Sequence, residues 1–192
     1  MPNEEYALVL DYLPSGRPTS YKPEPIAQVI GTVFFTLLEV VPKQALKPQD
    51  RIYVGKDERK EIDYIKRRIS FKDLTVSAVS ELDKSIEKIV DEQKQRFIDF
   101  FNKSVPITIK RHQLELLPGL GKKHMMDILS ERQKKPFESF EEIEQRVKFM
   151  PAPRKAILKR IMAELEEKDV KHFLFARPPP TPQLDRPSRK RF

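Results

Sequence analysis

The chain of 192 residues contains no cysteine, which excludes disulfides and thiolate metal sites and points to an intracellular compartment. Long apolar runs are also missing. The longest, such as Val33-Phe34-Phe35 and Leu37-Leu38, are far too short to span a bilayer, so no membrane association is expected. The first residues, Met1 to Tyr6, lack a basic stretch followed by an apolar one, and no signal peptide is expected. Glycine is scarce, with five in the whole chain, yet two of them, Gly119 and Gly121, stand two residues apart.

What is present is charge. Hydrophobic residues make up 39% of the chain and charged residues 34%, a composition that is soluble and foldable and fits one or two small domains. The net charge of +8 is unevenly spread: residues 1–109 carry 17 basic and 17 acidic side chains, whereas residues 110–192 carry 20 basic and 12 acidic ones. A neutral half joined to a basic half is the asymmetry expected of a chain that meets a polyanion, although a solvated basic surface would give the same count.

The neutral half reads as β structure followed by a helix. Glu5 to Tyr12 alternates, with Tyr6, Leu8, Leu10 and Tyr12 on one face. A loop rich in Pro and Ser follows from Pro14 to Pro25, and Ala27 to Val41 is β-branched and aromatic enough for one long strand, bent at Gly31. Asp50 to Lys56 and Tyr64 to Leu74 supply two more strands, and Thr75 to Asn102 carries Ala78, Leu82, Ile86, Ile89, Val90, Phe97 and Phe101 on one helical face. Val105 to Ile109 returns as a fifth strand. Five strands with one helix before the last predict an α+β protein whose residues 1–109 form a small OB-like β-barrel with an amphipathic helix over 75–102. Tyr53, Tyr64 and Phe71 serve equally as core residues or as stacking surfaces.

The basic half centres on Leu114 to Leu129. Leu117-Pro118-Gly119-Leu120-Gly121 interrupts two short amphipathic runs, which predicts two helices joined by a tight turn. The amides that open the second helix, at Gly121, Lys122 and Lys123, have no intrahelical acceptors and sit at the positive end of its dipole, a setting that suits a phosphate. This stretch resembles the helix-hairpin-helix motif. The resemblance implies a grip on a nucleic-acid backbone without base reading, often with a monovalent cation held by the hairpin carbonyls over 118–121. The site residues it implies are Gly119, Leu120, Gly121, Lys122 and Lys123.

Pro136 ends this unit, and Ser139 with Glu142 predicts a capping box for the next helix. Thirty-three residues after Leu117-Pro118-Gly119-Leu120-Gly121, the chain reads Met150-Pro151-Ala152-Pro153-Arg154. This looks like a degenerate second copy whose glycines are gone and whose Pro153 removes an amide, leaving Arg154 and Lys155 as side-chain contacts to a phosphate. Residues 110–167 are thus expected to form an all-α paired helix-hairpin-helix domain. Residues 168–192, rich in Pro and carrying Arg186, Arg189, Lys190 and Arg191, are expected to be a flexible basic tail that is either an extra phosphate contact or inert.

Further segments extend the resemblance: Ile69-Ser70-Phe71-Lys72-Asp73-Leu74, the helix ending Phe97-Ile98-Asp99-Phe100-Phe101-Asn102-Lys103, His112 through Lys123, and Lys135-Pro136-Phe137-Glu138-Ser139-Phe140. Together they are similar to an archaeal family, domain-of-unknown-function family 655, described as predicted RNA-binding proteins with a barrel-like N-terminal domain. That likeness covers nearly all of the chain except the tail, and it implies an archaeal, cytoplasmic protein that binds RNA rather than DNA.

An enzymatic reading fares worse. Lys123 stands where helix-hairpin-helix DNA glycosylases carry their catalytic lysine, but those enzymes need an aspartate shortly downstream, and none lies between Asp127 and Asp169. His112, His124 and His172 are not at ligand spacing with carboxylates, so no metal site is expected. Glu141-Glu142, Glu144 and Glu166-Glu167 read as solvated helix faces. The expectation is a non-enzymatic nucleic-acid-binding protein without a further cofactor. The alternatives are a DNA-binding protein and an assembly module whose hairpins bind protein.

Overall fold

The computed structural model of the chain describes residues 4–17, 24–167 and 170–179. Five strands, β1 (Tyr6–Leu13), β2 (Ile26–Gly31), β3 (Leu37–Pro42), β4 (Arg51–Tyr53) and β5 (Ile62–Arg68), form an antiparallel sheet in the order β4-β1-β2-β3-β5. The sheet curls into a half-barrel, and among the described residues no ladder joins its edge strands β4 and β5. Five helices complete the mixed α+β fold: α1 (Val76–Glu92), α2 (Lys94–Lys103), α3 (Lys122–Lys134), α4 (Phe140–Arg146) and α5 (Pro153–Glu166).

Both faces of the sheet are apolar, which is why every residue of β2 and β3 is buried. Ala7, Val9, Ala27, Val29, Val40, Ile52 and Ile62 fill the inside of the curl. Leu8, Leu10, Ile30 and Leu37 point the other way, onto α1 and the remaining helices. A bulge between Val9 and Asp11 shifts the ladder by one residue, so Tyr12 joins the Ala7 and Val9 side instead of following Leu8 and Leu10. The single face expected for Tyr6, Leu8, Leu10 and Tyr12 is therefore split.

The long strand expected over 27–41 is two strands. The chain reverses over Thr32 to Thr36, with Phe35 at φ 49°, and the agent is remote in sequence. The carboxylate of Glu4, itself buried, accepts the amides of Val33 (2.9 Å), Phe34 (2.9 Å) and Thr36 (3.1 Å). Gly31 makes this approach feasible, because a Cβ there would lie 2.1 Å from the Glu4 carboxyl carbon. The expected fifth strand at 105–109 does not join the sheet. It forms β6 (Pro106–Thr108), which pairs with β7 (Arg111–His112) in a separate two-stranded hairpin.

The helix expected over 75–102 is also two elements. Thr75 caps α1, accepting the amide of Ala78 while its own N–H donates to Gln28 Oε1. Gln93 leaves helical geometry (φ −115°, ψ 32°) and donates its side-chain amide to the Thr32 carbonyl at 2.7 Å. This break re-aims α2, so that Phe97 meets Phe35 and Phe175, with ring centroids 6.5 and 5.5 Å away.

On the helix-facing side of the sheet, Glu39 lies opposite Gln28 and binds the guanidinium groups of Arg17 and Arg67, each Nε at 2.7 Å. Burial pushes its carboxyl pKa up, but the hydrogen bonds from Arg67 and Arg17 outweigh this and hold it below the usual carboxylate range.

Of the tail expected over 168–192, residues 170–179 are described, and they are docked structure. Phe175 and Ala176 are buried in the same cluster as Leu8, Phe97 and Ile157, a core that runs from the sheet to α5. Glu164 of α5 is the clasp: its carboxylate accepts the amides of Leu174 (2.7 Å), Phe175 (2.9 Å) and Ala176 (2.8 Å) as well as Arg160 Nε (2.7 Å). The strap then reaches the sheet, where the Arg177 amide donates to the Phe34 carbonyl and Arg68 donates to the Pro178 carbonyl. The apolar Phe173-Leu174-Phe175 run explains the docking. The basic residues Arg186, Arg189, Lys190 and Arg191 lie outside the described residues.

Candidate functional site

The turn at Leu117 to Gly121 is anchored from below by two buried leucines, Leu117 and Leu120, and closed by the Leu120 amide bonding to the Leu117 carbonyl at 3.1 Å. The element before it is a single 3-10 turn over Gln113–Leu116 rather than a full helix. It is fixed by His112, whose Nδ1 accepts the Leu114 amide, while the Glu115 carboxylate accepts the His112 amide. Burial and the neighbouring Arg132 charge lower the His112 pKa, which favours the neutral imidazole that such an acceptor requires.

The two glycines have different reasons to be there. Gly119 sits at φ 85°, and a Cβ on it would come within 2.8 Å of Pro151 Cγ, so this residue is demanded by the turn and by its packing against the following one. Gly121 is extended (φ −101°, ψ −178°), and a Cβ there would meet nothing within 4 Å. The fold tolerates a side chain at 121. Any requirement for bare backbone must come from outside the fold, because a side chain at this extended φ is not strained.

Gly121 is the N-cap of α3, and no side chain caps that end. The first turn of α3 carries no acidic residue, so the helix opens with free amides and an uncompensated positive dipole end. Lys122 and Lys123 are exposed there, and among the described residues neither makes an ion pair. Sequence reasoning missed two cations beside them. Lys110 and Arg111, at the tip of the β6–β7 hairpin, line a groove of 580 Å³ together with Lys122, Met125 and Leu129. The signal is present in Ile109-Lys110-Arg111, but the expected domain boundary between Ile109 and Lys110 split that segment and left no hairpin to carry the two cations to the turn.

The second turn departs from its expected alignment. Its positive-φ residue is Phe149 (φ 61°), thirty residues after Gly119, and its buried C-cap is Val147, thirty after Leu117. By backbone geometry Val147 and Phe149 therefore correspond to Leu117 and Gly119, while Ala152, the N-cap of α5, takes the place of Gly121 thirty-one residues on, so the second turn is one residue longer and does not start at Met150. Phe149 takes the glycine position and is 90% exposed. Pro153 then occupies the first turn of α5, where it offers no amide.

Arg154 does not reach outward. It makes a bidentate pair with Asp91 of α1 (both contacts 2.8 Å), with Glu87 at 3.6 Å, so its charge ties α5 to α1. Lys155 lines a different groove, shared with Asp83, Glu87 and Met162. Of the residues expected at the site, the structure brings together Gly119, Leu120, Gly121, Lys122 and Lys123, and leaves Arg154 and Lys155 to the α1–α5 contact. Ser139 caps α4 as expected, accepting the Glu142 amide at 3.0 Å, but the Glu142 carboxylate turns to the Glu138 amide instead of closing the box.

Among the described residues no helix is long and apolar enough to cross a membrane. Residues 3–177 match a family model described as "Protein of unknown function (DUF655)". The chain is 44% identical over 178 residues to the uncharacterized protein MJ0038 of Methanocaldococcus jannaschii, a match that covers 91% of this chain and 80% of the relative. It is also similar to the crystal structure of Af1531 from Archaeoglobus fulgidus, itself assigned to DUF655, with a TM-score of 0.79 and 48% identity over 91% of this chain and all of the other. With both the family model and these archaeal relatives spanning nearly the same residues as the fold just described, the chain belongs to the DUF655 family.

Proposed function

We propose that this protein is a non-enzymatic nucleic-acid-binding protein that grips the phosphate backbone at residues 118–123 without reading bases. The observation that carries this reading is the opening of α3: uncapped amides behind a glycine with open space before it, next to two lysines that make no ion pair among the described residues. A phosphate approaching Gly121 meets backbone donors, a favourable dipole and mobile cations together. Lys110 and Arg111 extend the cationic footprint along the groove. RNA is favoured over DNA by the family resemblance drawn from the sequence. The order β4-β1-β2-β3-β5 is consistent with a partly open, OB-like barrel. The turn before α3, with its partner at Phe149, supports a helix-hairpin-helix pair in which one copy works.

A protein-assembly module is the competing reading, and Phe149 favours it, since a large aromatic side chain 90% exposed on a left-handed backbone offers an anchor for a protein surface. Salt dependence separates the two. In fluorescence anisotropy with labelled RNA, log K is expected to fall with log salt, and Lys122→Gln with Lys123→Gln is expected to lower that slope by about one to two units. An unchanged slope in the double variant removes these lysines from the interface.

A further inference from the structure

A second site emerges at the other end of the sheet, beside the gap between β4 and β5. A pocket of 200 Å³ lies between the start of β3, the segment after β4, and β5. Four cationic side chains line it: Lys56, Arg59, Arg68 and Arg177. Its one carboxylate, Glu4, is turned onto the amides of Val33, Phe34 and Thr36. Two residues of its wall each carry a buried polar atom, Thr36 Oγ1 and Arg68 Nε, with no hydrogen-bond partner among the described residues, and Thr36 is only 3% exposed. Buried donors left unsatisfied are costly, and their coincidence in one cationic pocket calls for an acceptor. Burial, followed by the charge of Arg177, lowers the Arg68 pKa, and an anion bound in the pocket would act in the opposite direction. Leu38, Val54 and Ile65 provide an apolar wall next to the cations.

We propose that this pocket binds a phosphomonoester, with Thr36 Oγ1 and Arg68 Nε donating to the phosphate, Lys56 and Arg59 adding charge, and the apolar wall receiving the group esterified to it. The site shares no residue with the α3 turn, so it stands or falls separately from the backbone-binding reading. Two sources offer this chemistry: a free mononucleotide and the 5′-phosphorylated end of a nucleic-acid strand.

The test uses the full chain and isothermal titration with three probes: inorganic phosphate, a 5′-mononucleotide, and a short oligoribonucleotide with either a 5′-phosphate or a 5′-hydroxyl. Gly121→Val serves as the background for the oligonucleotides, so that the turn does not contribute. The mononucleotide is expected to bind more tightly than inorganic phosphate, because only it uses the apolar wall. Thr36→Val keeps the shape of the side chain and removes one donor to a charged acceptor, and it is expected to weaken binding about tenfold or more. Lys56→Gln, a change on an exposed residue, is expected to weaken it less. A strand that binds only with its 5′-phosphate assigns the pocket to chain ends; binding of the mononucleotide without such a preference assigns it to a free ligand. Failure of all three probes to bind, or equal binding by wild type and folded Thr36→Val, would overturn the proposal.

Discussion

Glu164→Ala is expected to destabilise the protein by about 3–5 kcal/mol, the range for removing one partner of a buried charge pair. The carboxylate is fully buried, and its loss strands Arg160 Nε and the amides of Leu174, Phe175 and Ala176 at once. Arg160 also bonds to the carbonyls of Leu116 and His172, so its misplacement disturbs the turn before α3 as well as the strap. Urea unfolding followed by circular dichroism measures the loss, and hydrogen exchange at residues 174–176 localises it. Glu164→Gln keeps one acceptor oxygen and should fall between the two. A cost below about 1 kcal/mol for the alanine variant would mean that the strap is held by its apolar residues alone.

Gly119→Val is the second large effect, at roughly 3 kcal/mol or more. A β-branched residue at φ 85° is strained by about 1–3 kcal/mol, and crowding against Pro151 adds a cost of the same order. The two contributions separate in a pair of variants. Pro151→Ala is expected to recover part of the loss in Gly119→Ala, because it removes the atom 2.8 Å from the new Cβ, and the backbone part should persist. No recovery would mean that strain alone accounts for the glycine.

Elements governed by local pattern were legible in the sequence. The strand at β1 up to its bulge, the apolar face of α1, the Ser139 cap and the turn before α3 all arise from residues within a few positions of one another. What escaped was set at a distance. Nothing between Ala27 and Val41 marks a reversal except Gly31, since the turn at 32–36 is organised by the carboxylate of Glu4. The break at Gln93 keeps the helical pattern on both sides, and only its bond to Thr32 distinguishes it. The docking of residues 170–179 depends on Glu164, which in sequence is one of two acidic residues on α5, beside Glu166. At the candidate site, the pattern located the turn and Lys122 and Lys123. It overassigned Arg154, because an arginine's partners, here Asp91 and Glu87, cannot be read from its neighbours in the chain.

The central claim is that bare backbone at the start of α3 receives a phosphate, and Gly121→Val tests it most directly. The substitution leaves formal charge unchanged, adopts an ordinary extended φ and meets no atom of the fold within 4 Å of its Cβ, so the fold should stay intact with a loss of no more than about 1 kcal/mol, the cost of a poorer N-cap. The measurement is fluorescence anisotropy of this variant with labelled RNA at two salt concentrations, beside the wild type. A loss of affinity of about tenfold or more, on the order of 1.4 kcal/mol or above, is expected with folding intact. Wild-type affinity in the folded Gly121→Val protein would contradict it, and the turn would then be an element of packing alone.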